Sequence, residues 1–565
     1  MRIPSFRQHI FSLRWLLLVV SVWFSYSSVR HTLADDYIRR IQTLAIEQGI
    51  SPAAHWGWDK NVYSTWTSHT NRLIPLYTFG TKGAGSGIDL NSYIGANSKY
   101  RNRSALEKLY GILPKDTVSP QATYCDQTDV FQLQKAALDH GVRHIVLIIF
   151  DGMDWQTTRA ASIYNSQKIT YEAGRGTGMH FLDYSAAGTS QFGFAATSPF
   201  SDLPEVDVNR QTVTTPALPQ GGYDPILGGF FPWSEPADTK YWVGEPIEAP
   251  NRHLYTDSAS AATSMTCGVK TFNGAVGVDR NGKPVPSVAH LAQARGFGVG
   301  VVSSVPISHA TPATAYGQNV TRLDFQDLSR DLLGLPSNSH PRPLIGLDVV
   351  AGSGVGVHSD EGELQGENFV PGNTYLTAID LKSVDVKQGG KYVVARREKG
   401  VDGSARIRQA ATLAAKNDQR LLAFYGVDHR GGHLPFQTAD GDYQPAPGRE
   451  KTAEEYTAAD IHENPTLAEM TAAALTVLQT KPRGFWLLVE AGDVDWANHD
   501  NNLDNSIGAV NSGDEAFRVV TQWVEANSNW KETLVILTAD HGHYMVLDRP
   551  DELLRPQVHG GGISR

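Results

Sequence analysis

Cysteine is nearly absent from this chain of 565 residues, which contains two, Cys125 and Cys267. Two thiols exclude a disulfide-rich scaffold and a cysteine zinc site, and the sequence leaves open whether they form one bridge or stay as buried thiols. A basic surplus is also missing, because 49 Lys and Arg stand against 59 Asp and Glu, a net charge of −10. We therefore expect no nucleic-acid binding as a function. The ordinary shares of hydrophobic (41%) and charged (19%) residues exclude a disordered, fibrous or polytopic membrane protein.

One long apolar run, residues 15–26, follows three arginines at the N-terminus. It is shorter than the roughly 20 apolar residues of a membrane-spanning helix. A basic lead, a short apolar core and Ala34 near its end are typical of an export signal. We predict a signal peptide over residues 1–34, with an uncleaved N-terminal anchor as the alternative. Either one predicts an exported protein, periplasmic or extracellular, with no further membrane span.

Five short apolar runs are typical of parallel strands that are buried on both faces. They cover residues 144–150, 296–305, 420–425, 485–489 and 533–538. Helical stretches, for example residues 453–460 and 467–479, lie between them. This alternation predicts an α/β fold with a mostly parallel sheet and helices on both faces. We expect an accessory extension over residues 35–140 and a catalytic domain over 141–565, with inserts near 188–251 and 335–388.

Acidic and histidine side chains follow four of these runs. They are Asp151, His309, Glu490 and the pair Asp540-His541. In open α/β sheets the ligand crevice lies beyond the carboxyl ends of the strands. Any one of these residues alone is more often a turn or loop residue, but clustered acids repel one another unless metal ions neutralise them. The sequence therefore predicts a metal centre at this edge of the sheet.

Asp495 and His499 lie four residues apart, so on a helix they point the same way. They are a natural pair of ligands for one zinc ion. The whole donor set consists of nitrogen and oxygen without thiolate, which suits catalytic zinc, with magnesium where only oxygens gather.

Ser258 follows Asp257 and opens a run of small residues, 258–263. The plain interpretation is a helix start with an Asp N-cap, although a hydroxyl at the positive end of a helix also favours a phosphoryl group. A serine nucleophile must be activated, and no GxSxG elbow surrounds this one. A metal ion that lowers the pKa of the hydroxyl group would provide the activation.

Residues 257–263 (DSASAAT) and 268–274 (GVKTFNG) resemble the nucleophile segment of alkaline phosphatases. Further segments are similar to that family in order and spacing, from about residue 144 to the C-terminus. They are residues 151–153, 309–312 and 490–499, the pair Asp540-His541, and residues 559–561.

The resemblance implies zinc- and magnesium-dependent hydrolysis of small phosphate monoesters through a phosphoserine on Ser258, with release of inorganic phosphate. It implies two zinc ions and one magnesium ion. The implied ligands are Asp151, Ser258, Asp540 and His541 for one zinc ion, Asp495, His499 and His559 for the other, and Asp151, Thr311 and Glu490, with His309 nearby, for magnesium. Arg322 falls where the family has an arginine that clamps phosphate.

Two positions depart from the family pattern. His309 stands where some members have aspartate, and Trp496 stands where others have lysine or histidine, so position 496 supplies no cation toward phosphate. We expect Asp257, Trp496 and His543 to surround the ligands, with His543 orienting a zinc carboxylate. The chain ends six residues after His559, where the family normally continues. This leaves open whether the sequence is a C-terminally truncated fragment and whether it forms a homodimer.

A phosphodiesterase or nucleotide pyrophosphatase on the same fold is the alternative. Such enzymes resemble this chain in their zinc pair, but they typically use threonine as the nucleophile and lack the magnesium ligands. A sulfatase would need a C/S-x-P-x-R segment, which the sequence does not contain. A metal-holding scaffold without catalysis would predict missing ligands, and none is missing.

Overall fold

A computed structural model describes residues 36–244, 252–362, 364–428 and 430–555. The predicted signal peptide and His559 lie outside these residues. Among the residues described, no helix is both long enough and apolar enough to cross a membrane.

The strands, in chain order, are β1 Ala54–Trp56, β2 His69–Thr70, β3 Ile74–Phe79, β4 Cys125–Asp126, β5 His144–Phe150, β6 Gln191–Ala196, β7 Val206–Asp207, β8 Thr212–Val213, β9 Gly298–Pro306, β10 Val349–Ser353, β11 His358–Ser359, β12 Gly372–Asn373, β13 Tyr392–Arg396, β14 Arg420–Phe424, β15 Phe485–Ala491, β16 Thr533–Ala539, β17 Gly542–His543 and β18 Met545–Leu547.

The α-helices are α1 Tyr37–Gln48, α2 Arg103–Tyr110, α3 Gln127–Asp139, α4 Trp155–Ser166, α5 His180–Asp183, α6 Pro225–Gly228, α7 Ser258–Cys267, α8 Val288–Ala294, α9 Ala310–Thr314, α10 Phe325–Leu333, α11 Ala378–Val384, α12 Gly403–Lys416, α13 Ala458–Glu463, α14 Leu467–Leu478, α15 Asp493–His499 and α16 Leu503–Asn527.

Ten strands form the central sheet, in the order β13-β14-β10-β9-β15-β5-β16-β3-β6-β4. Every neighbouring pair from β13 to β16 is parallel, and β3 alone runs against its two neighbours in this sheet. The predicted α/β fold with a mostly parallel sheet is therefore confirmed. The strands β5, β15 and β16 are buried along their whole length, because helices cover both faces, and this burial explains their unbroken apolar sequences.

The predicted accessory extension, residues 35–140, contributes strands to this sheet. Strands β3 and β4 lie in it, β1 pairs with β18, and β2 pairs with β17 beside the last long strand. The two predicted inserts also contain sheet strands, since β6 lies in the first and β10 in the second. Cys125 on β4 and Cys267 at the end of α7 are both buried free thiols.

Candidate active site

Four neighbouring parallel strands, in the order β9-β15-β5-β16, deliver polar side chains at their carboxyl ends. Asp151 follows β5, Glu490 is the next-to-last residue of β15, and Asp540 follows β16. Because the strands are parallel and in register, these three carboxylates meet at one edge of the sheet. All three are fully or almost fully buried.

Asp151, Asp540 and His541 form a first donor set. Their potential ligand atoms lie within 4.8 Å of one another. The Nε2 atom of His541 lies 3.2 Å from Oδ1 of Asp151 and 3.4 Å from Oδ2 of Asp540. Among the described residues, neither of these two carboxylate oxygens has a hydrogen-bond partner, although both are buried. Burial and the neighbouring carboxylate of Asp540 raise the pKa of Asp151 well above its usual value.

His69, Asp495 and His499 form a second donor set. The Nε2 atoms of both histidines lie 3.4 Å from Oδ1 of Asp495 and 3.0 Å from each other. Asp495 and His499 lie on one face of α15, as their spacing predicts.

The hydrogen bonds of the His69 and His499 rings orient the lone pairs of their Nε2 atoms toward the same point. Nδ1 of His69 lies 3.0 Å from the carbonyl oxygen of Thr256, and Nδ1 of His499 lies 2.6 Å from that of Thr67. A carbonyl only accepts, so in each neutral ring the proton belongs on Nδ1 and Nε2 carries the lone pair. Two nitrogen lone pairs and a carboxylate oxygen that face one another fit a bound cation and little else.

His69 is the site residue that the sequence did not reveal. It lies on β2, which pairs with β17 so that His69 is opposite His543. Its ring also stacks on that of His541, with centroids 3.6 Å apart and planes inclined by 17°. His69 lies on a two-residue strand far in the sequence from the other donor residues, so no spacing pattern points to it, and only the pairing of β2 with β17 brings it to the site.

Glu490 lies close enough to Asp151 for its charge to act on that carboxyl group, and Thr311 lies beside Glu490; we call these three residues the third donor set. Ser303 on β9 donates a hydrogen bond to Oε2 of Glu490, whereas Oε1 is buried without a partner. Burial is the main cause that raises the pKa of Glu490, to about 8, and the hydrogen bond from Ser303 acts against it. Buried carboxylate oxygens without donors are costly, so this oxygen-only set also fits a cation.

His309 and Trp496 lie beside these sets. The ring of His309 is parallel to that of Phe325 and meets Trp496 edge-on, with centroids 5.7 Å apart. Burial, aided by the charge of Arg322, lowers the pKa of His309 to about 3, so this ring is neutral.

Ser258 is the first residue of α7, and its Oγ lies 3.3 Å from Nε2 of His541. Asp257 caps the helix by accepting a hydrogen bond from the backbone N–H of Ser260. Its other carboxylate oxygen accepts from Nη1 of Arg322 at 2.9 Å, so the arginine is held over the start of the helix. Burial opposes ionisation of Asp257, yet Arg322 keeps its pKa below the usual value.

His543 and Gly152 contact the donor residues from outside the sets. Nε2 of His543 lies 2.8 Å from Oδ1 of Asp495. Gly152 has φ near +70°, and a Cβ there would come within 2.8 Å of the His543 ring. Its backbone N–H donates to Oδ1 of Asp540 at 2.9 Å, so a glycine is needed for this approach.

The structure thus brings together all predicted site residues except His559, which lies outside the described residues. Their assigned roles stay predictions.

The family model and the curated relatives that match this chain point to one family. The family model described as "Alkaline phosphatase" matches residues 237–552. Alkaline phosphatase 4 of Bacillus subtilis is 28% identical, with 51% of this chain and 49% of that protein covered. Alkaline phosphatase H of Pseudomonas aeruginosa is 30% identical, with 55% and 61% covered. The solved alkaline phosphatase of Thermus thermophilus is 20% identical with a TM-score of 0.41, over 71% of this chain and 60% of that one. The chain spans about half to three fifths of the length of these curated relatives.

Proposed function

The chain belongs to the alkaline phosphatase family, and on this premise we propose that it hydrolyses phosphate monoesters through a phosphoserine formed on Ser258. The observation that carries the proposal is the position of Ser258 Oγ, 3.3 Å from His541 and at the N-terminus of α7, beside donor sets that fit cations. The proposed substrates are small phosphomonoesters, and we propose that the protein acts after export.

The three donor sets would hold two zinc ions and one magnesium ion. We assign the first set, with Ser258, and the second set to zinc because they combine carboxylate with imidazole. We assign the third set, with His309 nearby, to magnesium because its donors are oxygens. When bound, such ions lower the pKa of a nearby hydroxyl group or water and neutralise charge on the phosphate. His69 completes the second set, a place that the sequence resemblance gave to His559.

Ser258 and the start of α7 bind the phosphoryl group. The free backbone N–H groups and the positive end of the helix dipole favour a dianion there. In the first half of the reaction, a bond forms between Ser258 Oγ and phosphorus while the bond from phosphorus to the alcohol oxygen breaks. In the second half, water replaces Ser258 on phosphorus and releases inorganic phosphate.

Arg322 grips the nonbridging oxygens. Asp257 accepts from Nη1, so the remaining N–H donors of the guanidinium can form a bidentate pair with phosphate. The ion pair also fixes the side chain before substrate arrives, which limits the entropy lost on binding. Trp496 adds no charge, whereas Arg322 brings a positive charge to the phosphate.

Trapping of the phosphoserine tests this proposal. We expect acid-quenched protein incubated with p-nitrophenyl phosphate, zinc and magnesium to carry one phosphoryl group on the peptide that contains Ser258, as measured by mass spectrometry. Ser258→Ala should lack it and should lose at least about 10³-fold in turnover. Ser264→Ala, a buried serine on the same helix, is the matched control.

Full turnover by Ser258→Ala, or hydrolysis without any phosphoryl group on Ser258, would refute the covalent route. We expect bis-p-nitrophenyl phosphate to be hydrolysed far more slowly than the monoester. A preference for the diester would instead support a phosphodiesterase.

A further inference from the structure

A short extended segment, residues 319–322, carries Arg322 to the site, and we call it the arginine segment. The backbone N–H of Arg322 donates to the carbonyl oxygen of Gly274 at 2.8 Å. Three residues earlier, Asn319 and Val276 exchange both of their backbone hydrogen bonds, at 2.8 and 3.0 Å. The backbone of the arginine segment is therefore fixed at both ends to the stretch of chain that follows α7.

A glutamine from another part of the chain binds this segment with both ends of its amide. Gln211 lies between the strands β7 and β8, within the first predicted insert, residues 188–251. Its Oε1 accepts a hydrogen bond from the backbone N–H of Val320 at 3.0 Å, and its Nε2 donates to Oδ1 of Asn319 at 3.1 Å. One side chain thus spans two consecutive residues of the arginine segment.

The hairpin formed by β7 and β8 holds this amide in place. Nε2 of Gln211 also donates to the carbonyl oxygen of Val208 at 2.8 Å. Val206 and Val213, one on each strand, pack against the buried apolar cluster within residues 272–278. The backbone of Gln211 has φ near +54°, which is uncommon for a residue other than glycine and is kept only where the surrounding structure enforces it.

The second predicted insert, residues 335–388, contacts the same segment through Asp324. Nδ2 of Asn319 donates to Oδ2 of Asp324 at 2.8 Å, and Oδ1 of Asp324 accepts from the backbone N–H of Gly366 at 3.4 Å. The backbone N–H of Thr321 donates to Oδ1 of Asn319 at 3.0 Å. These bonds orient the Asn319 amide so that its oxygen faces the donor group of Gln211.

We propose that Gln211 is a positioning residue, which sets the place of the Arg322 guanidinium for phosphate. Its amide binds the backbone two residues before Arg322, and a shift of about 1 Å in a group that clamps the substrate is enough to lower activity strongly. The inference rests on the proposed phosphomonoester hydrolysis, and it gives the first insert a part in that reaction.

Binding of inorganic phosphate to the zinc- and magnesium-loaded protein, measured by isothermal titration calorimetry, tests this role without turnover. Gln211→Met is the diagnostic variant, because methionine has about the length of glutamine and removes both hydrogen bonds to the arginine segment. We expect it to raise the Kd for phosphate by about three- to tenfold, the effect of one or two lost hydrogen bonds. The KM for p-nitrophenyl phosphate should rise by a similar factor.

Gln220→Met is the matched control. Gln220 is a half-buried glutamine of the same insert, but its amide oxygen accepts from the backbone N–H of Asp202, at 3.5 Å. The same substitution there should leave the Kd for phosphate at the wild-type value.

The Arg322→Ala background separates positioning from a structural role. If Gln211 acts through Arg322, Gln211→Met should cause no further rise of the phosphate Kd in this background, because the guanidinium that it positions is gone. A merely structural role would lower the melting temperature equally in both backgrounds and would not link the two Kd values.

The outcomes separate the two proposals. An unchanged Kd in folded Gln211→Met, or the same fold increase with and without Arg322, would overturn the positioning role and leave the phosphatase proposal intact. A wild-type protein that binds phosphate but hydrolyses no monoester would overturn the phosphatase proposal, and the Kd values would still decide the role of Gln211. A metal-loaded protein that neither binds phosphate nor hydrolyses a monoester would overturn both.

Discussion

At the scale of single residues, the tautomer of His69 is set by the fold. The Thr256 carbonyl binds its Nδ1 and the His541 ring covers one face, so Nε2 has one direction to point, toward Asp495 and His499. The carbonyl oxygen of Thr67 likewise binds Nδ1 of His499. Such outer hydrogen bonds orient metal-binding imidazoles and raise their basicity. Two backbone carbonyls therefore prepare the second donor set before any ion binds.

We expect His69→Ala to bind one zinc ion per chain fewer than the wild type after dialysis against dilute zinc. Loss of a residue that hydrogen-bonds a metal ligand typically weakens metal binding by about 10–100-fold. Loss of one of the three donors themselves should weaken zinc binding by more than that. Elemental analysis of dialysed protein measures the zinc content directly. His55→Ala is the control, because His55 is also a buried N-terminal histidine but pairs with Asp548. Equal zinc content in the two variants would argue against His69 as a ligand.

At the scale of structural elements, three buried charged side chains, His433, Glu454 and Asp493, link α15 to the loop between β14 and α13. We call them the ion triad. Asp493 is the first residue of α15, and His433 links it to Glu454. Burial lowers the pKa of His433, but the two carboxylates outweigh it and raise that pKa to about 10. Because α15 also carries Asp495 and His499, the triad sets where the second donor set lies relative to the loop.

This triad predicts a pH dependence of stability. The pKa of His433 is higher in the folded chain than its unfolded value of 6.5, so its stabilisation is complete below pH 6.5 and is lost as pH rises toward 10. At neutral pH, His433→Gln removes the cation that lies 2.7 Å from both buried carboxylates and should cost on the order of 3–5 kcal/mol of unfolding free energy. Urea unfolding of both proteins at pH 7 and above pH 10 checks this. A difference between them that does not shrink at high pH would contradict the assignment.

At the scale of the whole molecule, the sheet brings together donor residues from distant parts of the chain. The strands β5, β15 and β16 could be predicted because strands that are buried on both faces have unbroken apolar sequences. Their carboxyl ends lie at one edge of the sheet because the three strands are parallel neighbours. The place of residues 37–139 could not be predicted, because β3 is reversed in the sheet and β2 has only two residues. Their pairing depends on contacts with β16 and β17 at the other end of the chain.

The three carboxylates at the edge of the sheet predict that bound metal ions stabilise the whole fold. Asp151, Glu490 and Asp540 are buried together, and each has one carboxylate oxygen without a hydrogen-bond partner in the described part of the chain. Ions at about 100 times their dissociation constant would add about 2.7 kcal/mol to the unfolding free energy. We expect chelation to lower the melting temperature by several degrees and added zinc to restore it, as measured by calorimetry. An unchanged melting temperature would show that the donor sets hold no ion.

Turnover of p-nitrophenyl phosphate by purified protein, from neutral to alkaline pH, tests the central claim most directly. The assay is run before chelation, after chelation, and after zinc and magnesium are added back. We predict activity that is lost on chelation and fully restored only by both metals, because the first and second donor sets suit zinc and the third suits magnesium. Activity that survives chelation, or folded protein that stays inactive with both metals, would contradict the account.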